Sequence, residues 1–363
     1  MLSNADIARE RLNNQGIEGV RSTLPVDVVS KMGFVQAQDY LGALWAVGLR
    51  MNSATEASVE QALAEGSIVR TWPARGTLHF VAAADVRWML DLLARRPVLK
   101  AARRFAQLGL DEETFTKSRK FLVRALQGGN GLARDKIFRA LQAENIATTG
   151  QRGIHILWRL AQEGLICFGP RQGKQPAFIL LDEWLPPAPK VVREESLAKL
   201  ALRYFTGHSP ATLADFIWWS GLTAVDAKES LELAKNHLVR ETYDGRIYWR
   251  SESDPAPHTS SKEVHLLPAF DEYLIGYRDR GAVLDALYAR RTNNGGGILS
   301  PVIVSDGQVV GTWKRTLKRG MASISADWFN EPSSRSIDAF SAAADRYGAF
   351  LGLPVKIAEM QPA

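Results

Sequence analysis

The stretch RGIHILWRLAQEGLICFGPRQGKQPAFILL (152–181) decides the fold prediction for this chain. Its first half carries apolar residues at helical spacing and ends before Gly164, a residue suited to the left-handed position that follows a helix. LICFG and AFILL then read as two strands on either side of PRQGKQP, which predicts a hairpin. A helix that leads straight into a hairpin is typical of the recognition helix and wing of a winged-helix unit.

The same order of helices and hairpin occurs three times along the chain. In the first copy, Pro25 stands where a helix begins, and SIVRTW and TLHFV pair across Pro73–Gly76. In the third copy, Asp244–Gly245 is a two-residue hairpin signal between LVRETY and IYWR. The helices predicted for the three copies are, in order, 5–13, 25 onward and 56–65, then 113–127, 133–144 and 152–163, then 195–206, 212–220 and 224–236.

The remainder of the chain has a different pattern, in which the strand-like runs VHLLPAF, SPVIVSDG and QVVGTWKR precede a helix predicted over 337–351. The sequence therefore predicts an α+β fold of three tandem winged-helix units and a C-terminal mixed α/β region. The predicted domains are winged helix 1 (1–95), winged helix 2 (96–190), winged helix 3 (191–250), a linker (251–262) and a β-rich domain (263–363).

Composition bounds the class of protein. The 363 residues are 46% hydrophobic and 23% charged, which is ordinary for globular proteins. A formal charge of +6 and a pI of about 9.4 favour a polyanionic partner such as nucleic acid, although many proteins without such a partner are as basic. The polar N-terminus and the lack of a long apolar run predict a cytoplasmic protein that does not enter a membrane.

Chemical signatures are few. The one cysteine, Cys167, excludes a disulfide framework and a thiolate zinc site, and it is expected to be an apolar filler in a strand. Six scattered histidines have no ligand spacing, and nucleotide, hydrolase and metalloprotease motifs are missing. We therefore expect no metal and no cofactor.

Basic residues cluster on the predicted DNA-reading elements. Arg152, Arg159, Arg171 and Lys174 fall on the recognition helix and wing of the second unit, and Lys314 and Arg315 follow a strand near the C-terminus. Contact with phosphates is one interpretation of these charges, and solvated faces of helices and strands are the other.

The run Gln36-Ala37-Gln38 lies among apolar residues in GFVQAQDYLGALWAVGLR. Residues two apart share one face of an extended segment, and each amide can both donate and accept hydrogen bonds. Two converging amides can hold one water molecule. The alternative is that both amides only satisfy loop backbone, and the residues alone do not exclude it.

Several segments together resemble the AlkZ/YcaQ-like winged-helix DNA glycosylases, in the same order and over nearly the whole chain. They are VQAQDYLGALWAVGLR, RTWPARGTLHFV, LLPAFDEYLIGYRDR and VVGTWKR. The resemblance implies tandem winged helices arranged in a C around duplex DNA, with a C-terminal β-barrel-like region. It also implies excision of bulky or crosslinking alkylated purines.

In that family the catalytic motif is Gln-x-Gln in one branch and Gln-x-Asp in the other, so the resemblance implies that Gln36 and Gln38 are catalytic. A purine alkylated at N7 is a cationic leaving group, so two neutral amides that orient a water can replace the usual carboxylate. The shared segments also contain Arg70, Arg75 and His79, which are expected to touch DNA or to brace the glutamines. Four further members of these segments either support the site or form a buried Asp–Arg structural network: Asp271, Glu272, Tyr273 and Arg278.

The sequence thus favours a monofunctional DNA glycosylase that acts as a monomer on double-stranded DNA. The alternative is a non-enzymatic winged-helix transcriptional regulator, which has no need of converging glutamines and usually binds as a dimer. A third possibility is a winged-helix fold used only for protein contacts, for which binding would not weaken with salt.

Overall fold

The computed structural model describes most of the chain, namely residues 3–173, 175–252, 263–293, 295, 297–318 and 320–358. Lys174 and residues 253–262 of the predicted linker lie outside the described residues. Within the described ranges, every helix is too short or too polar to cross a bilayer.

The first unit consists of helices, one short strand and a hairpin, with the bounds α1 (Asn4–Asn14), α2 (Pro25–Met32), β1 (Val35–Gln36), α3 (Tyr40–Leu49), α4 (Glu56–Ala64), β2 (Ile68–Ala74) and β3 (Thr77–Ala82). Ser3 is the N-cap of α1, and its side chain and that of Asp6 cap each other's backbone. Pro25 occupies the first turn of α2, where its missing N–H costs nothing. The predicted hairpin across Pro73–Gly76 is present.

The second unit repeats this order after a helical connection. Its elements are α5 (Ala83–Leu93), α6 (Arg95–Lys100), α7 (Ala102–Gln107), α8 (Glu112–Leu126), β4 (Leu132–Ala133), α9 (Arg134–Ala143), α10 (Arg152–Gln162), β5 (Ile166–Gln172), β6 (Gln175–Leu180) and α11 (Leu181–Trp184). Gly164 has φ +74° just beyond the C-cap of α10, as its position predicted. The sequence reasoning did not predict the connecting helices α5 to α7.

The third unit contains α12 (Arg193–Gly207), α13 (Leu213–Ser220), α14 (Ala224–Ala234), a 3₁₀ turn (Lys235–His237), β7 (Leu238–Tyr243) and β8 (Arg246–Ser251). A single bridge between Ala211 and Trp249 takes the place of the short strand that the other units have. Asp244 and Gly245 both have positive φ, which matches the two-residue hairpin turn that their sequence predicted.

Hairpins of the first two units lie in one sheet. Among the described residues this sheet has six strands in the order β1-β3-β2-β5-β6-β4, all antiparallel. The two units meet where Arg70 on β2 pairs with Phe168 on β5. This junction brings the segment around the two glutamines next to the wing of the second unit.

The C-terminal region contains β9 (Val264–Leu267), α15 (Glu272–Ile275), a 3₁₀ turn (Ala286–Tyr288), β10 (Val302–Ser305), β11 (Gln308–Lys318), β12 (Met321–Trp328), α16 (Ser334–Leu351) and β13 (Val355–Ile357). Its described strands form an open sheet in the order β13-β12-β11-β10-β9. The expectation of a β-barrel-like region was wrong, because β13 and β9 end the sheet and do not pair with each other in the described residues. The mixed α+β class is confirmed.

A single apolar core joins this C-terminal sheet to the first unit. Helix α3 is apolar nearly all round and is buried from Gly42 to Leu49, as expected for a helix with neighbours on every side. The Trp45 indole donates to the carbonyl of Leu266 at 2.6 Å, and the Trp313 indole donates to that of Leu267 at 2.8 Å. Strand β9 is therefore held between α3 and its own sheet.

Candidate active site

Gln36 and Gln38 lie on the edge strand beside the first hairpin. Val35 and Gln36 pair with Phe80 and His79 of β3, and the Ala37 N–H donates to the carbonyl of Leu78 at 2.7 Å. Ala37 is fully buried, Gln36 is half-buried and Gln38 is exposed. The extended backbone thus turns the alanine inward and the two amides to the opposite face.

Both amides are oriented by donors. Arg75 Nη2 lies 3.4 Å from Gln36 Oε1, and the Leu78 N–H lies 3.5 Å from Gln38 Oε1. Arginine and backbone N–H groups can only donate, so each of these contacts requires the amide oxygen to face it. The Leu78 contact is the kind that the backbone-satisfying alternative expects, whereas the Arg75 contact ties Gln36 to another side chain.

Arg75 occupies the turn of the hairpin, with φ +53°. Its Nη1 donates to the carbonyl of Trp219, and its Nη2 lies 3.3 Å from Nε2 of His79. Burial lowers the pKa of this guanidinium below its usual value, and the negative charge of Glu272 opposes that shift. Because an arginine stays charged in such surroundings, the Gln36 oxygen faces a fixed cation.

His79 is fully buried beside Gln36 on the neighbouring strand. Its Nδ1 lies 2.9 Å from the carbonyl of Thr77, so Nδ1 carries the hydrogen and Nε2 accepts from Arg75. Burial and the adjacent Arg75 charge hold the pKa of His79 well below its usual value. The ring is therefore neutral at physiological pH and braces Arg75.

Glu272 forms the buried floor of the site, with no exposed surface. Its Oε1 accepts from the backbone N–H of Gln36 at 3.3 Å, and its Oε2 accepts from the Trp219 indole at 3.0 Å. His208 Nε2 lies 3.2 Å from the same Oε2. The carboxylate thereby connects the strand of Gln36 to α12 and α13 of the third unit.

The other residues expected to support the site lie further from the glutamines. Asp271 forms a buried bidentate ion pair with Arg50 at 2.7 and 2.9 Å. The Tyr273 hydroxyl contacts the carbonyls of Ala8 and Gly307 and is fully buried. Arg278 is exposed, and its backbone N–H donates to Asp215 at 2.9 Å.

Arg70 holds the backbone between the two glutamines, since its Nη2 donates to the carbonyl of Ala37 at 2.9 Å. Its guanidinium also lies over the rings of Tyr40 and Phe168, at 5.3 and 5.0 Å. Burial lowers the pKa of Arg70 to about 10. Arg70 therefore positions the motif from the side of the second unit.

Four of the basic residues considered for phosphate contact have protein partners. Arg152 donates to the carbonyls of Leu108 and Gly109, and Arg159 pairs with Glu163. Two others pair across units: Arg171 with Glu60 at 2.7 Å, and Arg315 with Asp39 at 3.9 Å. Lys314 is exposed on β11.

The aromatic residues around the site were not predicted from the sequence. Phe34 stacks on Trp219 with ring centroids 4.0 Å apart, and its ring meets His79 edge-on at 4.6 Å. His208 stacks on Tyr204 at 4.7 Å. The dipeptide Trp218-Trp219 was a usable signal, but nothing in its local pattern told which element it would face.

Two other expectations concern ligands and the cysteine. Within the described part of the chain, no group of three or more His, Cys, Asp or Glu side chains is placed to hold a metal ion. Cys167 is buried in β5, and burial raises the pKa of its thiol to about 12, which makes it an inert filler.

Comparison with known proteins identifies the family to which this fold belongs. The family described as DNA glycosylase AlkZ-like matches residues 29–350. An interstrand DNA cross-link repair glycosylase of Streptomyces sahachiroi is 26% identical over 327 residues, which are 84% of this chain and 85% of that protein. The solved structure of DNA glycosylase AlkZ from the same organism superposes with a TM-score of 0.81 at 23% identity, over 98% of this chain and 100% of the other.

The chain is therefore an enzyme of the class that hydrolyses N-glycosyl bonds in DNA. It belongs to the AlkZ-like family of DNA glycosylases, which confirms the resemblance found in the sequence. Because the family is enzymatic, the alternative of a non-enzymatic regulator is set aside.

Proposed function

We propose that this protein is a monofunctional glycosylase that removes N7-alkylated purines from duplex DNA, with Gln36 and Gln38 positioning the attacking water. The observation that carries the proposal is the placement of both amides on one face of the extended segment, with the Gln36 oxygen oriented by Arg75. The relative from Streptomyces sahachiroi is described as acting in interstrand cross-link repair. That description supports bulky or crosslinked adducts as substrates of this chain.

The reaction needs little acid or base help. A purine alkylated at N7 is cationic and leaves readily, through a transition state with oxocarbenium character as in glycoside hydrolysis. The remaining task is to hold a water against the anomeric carbon, and correct orientation of a reactant can lower a barrier by several kcal/mol. Two amides suffice for this: the C1′–N9 bond breaks, the purine leaves as a neutral base, the water oxygen bonds to C1′, and its proton passes to solvent. The motif contains no lysine that would open the abasic sugar.

The hydrogen-bonding capacity of the two amides fits that task. A carbonyl oxygen has two lone pairs, and Arg75 or Leu78 uses one on each glutamine. The second lone pair on each oxygen remains to accept from one water. A water that donates both hydrogens in this way keeps its own lone pairs directed at the sugar.

We interpret the three helix–hairpin units as winged helices that surround the duplex in a C and bind it as a monomer. The repeated order of elements supports this interpretation, and so do the short strands β1, between α2 and α3, and β4, between α8 and α9. The positively charged chain supports a DNA partner. Three further statements remain predictions. They are the domain boundaries at 95, 190 and 250, phosphate contact by the clustered basic residues, and a cytoplasmic location.

Single-turnover excision of N7-methylguanine from a duplex oligonucleotide tests the proposal. We expect wild type to leave an intact abasic site and Gln36→Ala/Gln38→Ala to lose at least a hundredfold in rate while it still binds duplex DNA. The matched control is Gln107→Ala/Gln127→Ala, which removes two exposed glutamines elsewhere. The proposal is wrong if wild type excises neither this lesion nor a bulky N7 adduct above the spontaneous depurination rate.

A further inference from the structure

An apolar cavity of about 500 Å³ opens beside Gln38, and the proposed water-positioning role does not use it. The cavity lies where the hairpin of the first unit meets the second unit, the junction made by Arg70 and Phe168. Its lining is mainly apolar and includes Trp72, Leu157, Trp158, Phe168 and Phe178. The polar side chains that line it are those of Gln38, Arg70, Arg134, Asp135 and Gln175.

The aromatic walls are rigidly packed. Phe168 and Phe178 have ring centroids 4.4 Å apart, and Trp72 lies 5.2 Å from Phe168. The Trp158 indole donates to the carbonyl of Gly76 at 3.1 Å, so its polar atom is already satisfied. These aromatic walls therefore offer mainly ring faces and edges to an occupant.

Polar groups line the cavity from both units: Gln38 and Arg70 belong to the first unit, and Arg134, Asp135 and Gln175 belong to the second. Arg70 lines the cavity, and it contacts both the Phe168 ring and the carbonyl of Ala37 between the two glutamines. Gln38 belongs to the motif and to the cavity wall alike. A group in the cavity thus lies next to Gln38 and to the arginine that holds the Ala37 carbonyl.

We propose that this cavity binds a flat aromatic substituent carried on N7 of the alkylated purine. The proposal rests on the proposed function and names the class of adduct that this member handles best. Sites of about 300–1,000 Å³ with apolar, aromatic walls suit drug-sized aromatic ligands, and offset or edge-on ring contacts add to burial. An extruded purine is the competing occupant, because Arg134, Asp135 and Gln175 offer partners for its polar edge, and the variants below distinguish the two.

The proposal predicts how the excision rate depends on the substituent at N7. A substituent remote from the reacting bond contributes binding energy that appears in the efficiency at subsaturating enzyme. We therefore expect an N7-benzylguanine duplex to be excised at least tenfold more efficiently than an N7-(cyclohexylmethyl)guanine duplex, each rate being divided by its own spontaneous depurination rate. The two substituents have the same number of carbons, but only the benzyl ring is flat.

Variants at the cavity test the site itself. Ile154→Trp fills the mouth from an exposed helix position, and Phe168→Leu keeps an apolar side chain but removes the ring. Both should lower the ratio of benzyl to cyclohexylmethyl excision toward one. Leu287→Trp, an equally bulky change at an exposed position outside the cavity, should leave that ratio unchanged.

Three outcomes overturn the proposal. In the first, wild type excises the benzyl and cyclohexylmethyl lesions with equal corrected efficiency. In the second, the ratio of benzyl to cyclohexylmethyl excision stays unchanged in both variants. In the third, both variants reduce N7-methylguanine and N7-benzylguanine excision by the same factor, which would assign the cavity to the base. In each case the proposed function stands.

A measurement of DNA affinity distinguishes failure of the proposed function from failure of this inference. Fluorescence anisotropy with duplexes whose N7-alkylguanine nucleotides carry a stabilising 2′-fluoro group measures affinity without excision. If no lesion is excised, the proposed function fails, and the affinities alone decide about the cavity. Tenfold tighter binding of the benzyl duplex than of the cyclohexylmethyl duplex supports the cavity, and equal affinities overturn it.

Discussion

The guanidinium of Arg75 links the hairpin turn to the reaction motif, because its Nη2 lies 3.4 Å from Oε1 of Gln36. The same side chain contacts His79 and the carbonyl of Trp219. One planar, multidentate cation thereby sets the orientation of an amide that has no charge of its own.

Replacement of Arg75 by lysine should slow excision while leaving duplex affinity nearly unchanged. Lysine carries a compact point charge and cannot reach Gln36, His79 and Trp219 together. We expect Arg75→Lys to lower the single-turnover rate at saturating enzyme by about tenfold to a hundredfold, the range typical of a lost positioning contact. The conservative control Arg119→Lys lies on α8, away from the glutamines, and an equal loss there would contradict the role of Arg75.

Replacement of Glu272 by glutamine should destabilise the protein and slow excision together. The carboxylate accepts from the Gln36 N–H and the Trp219 indole, so an amide NH₂ would oppose one of these donors. A buried donor without an acceptor costs about 2 kcal/mol, measurable by urea unfolding. Glu232→Gln at an exposed position should change the free energy of unfolding little, and equal effects of the two variants would refute this prediction.

Gly33 should be intolerant of alanine because of Trp219 as well as its backbone. Its φ is +78°, and an added Cβ would lie 3.1 Å from the Trp219 ring that stacks on Phe34. Gly128 has the same φ but no atom within 4 Å of an added Cβ. Thermal unfolding should therefore show Gly33→Ala to be less stable than Gly128→Ala by about 1 kcal/mol or more, and only the Gly33 change should lower excision.

Stability should fall as the pH drops below about 6.5, the usual histidine pKa. Burial lowers the pKa of His79 and of His208 in the folded protein. Below pH 6.5 the unfolded chain therefore binds protons that the folded chain does not. The free energy of unfolding decreases toward acid pH, by at most about 1.4 kcal/mol per pH unit for each histidine.

Urea unfolding between pH 5 and 8 checks this sign. His79→Gln should flatten the pH dependence, whereas the same change at the exposed His237 should not. Excision at constant temperature should show no inflection between pH 6 and 8, since neither glutamine titrates and the pKa of His79 beside Gln36 is held well below its usual value. A rate that rises through a pKa near 6.5 would instead point to a histidine base.

Lys314 and Arg152 should behave differently when neutralised. Lys314 is exposed, so Lys314→Gln should reduce duplex affinity and the dependence of log affinity on log salt by about one unit if it contacts a phosphate. Arg152 holds the carbonyls of Leu108 and Gly109, so Arg152→Gln should mainly lower the melting temperature. Anisotropy titrations in increasing salt and thermal melts of both variants separate the two effects.

Local sequence was sufficient for the elements whose signals lie within a few residues. Pro25, Gly164 and the pair Asp244–Gly245 each mark a helix start, a helix end or a turn through their own backbone preferences. Gln36-Ala37-Gln38 was considered as an extended segment, and the structure has an extended backbone there with Ala37 turned inward. Helix α5, the two short helices after it, and strands β12 and β13 were not predicted.

Partners of charged side chains could not be read from the pattern. Arg171 and Arg315 looked like DNA contacts because of their place on a wing and a strand, yet each pairs with a carboxylate distant in sequence, Glu60 and Asp39. The local sequence indicates whether a side chain lies on a helix or on a strand. It does not report which element folds against that side chain.

The sequence by itself determined the repeated helix–hairpin order, the family and the Gln-x-Gln motif, because each depends on short-range preferences or on residue identity. Tertiary structure alone decided what surrounds that motif. Glu272, Trp219 and the cavity wall at Phe168 come from three distant parts of the chain. They meet at the glutamines because the first two hairpins share one sheet and the third unit packs behind Gln36, an arrangement set by burial of apolar surface between units.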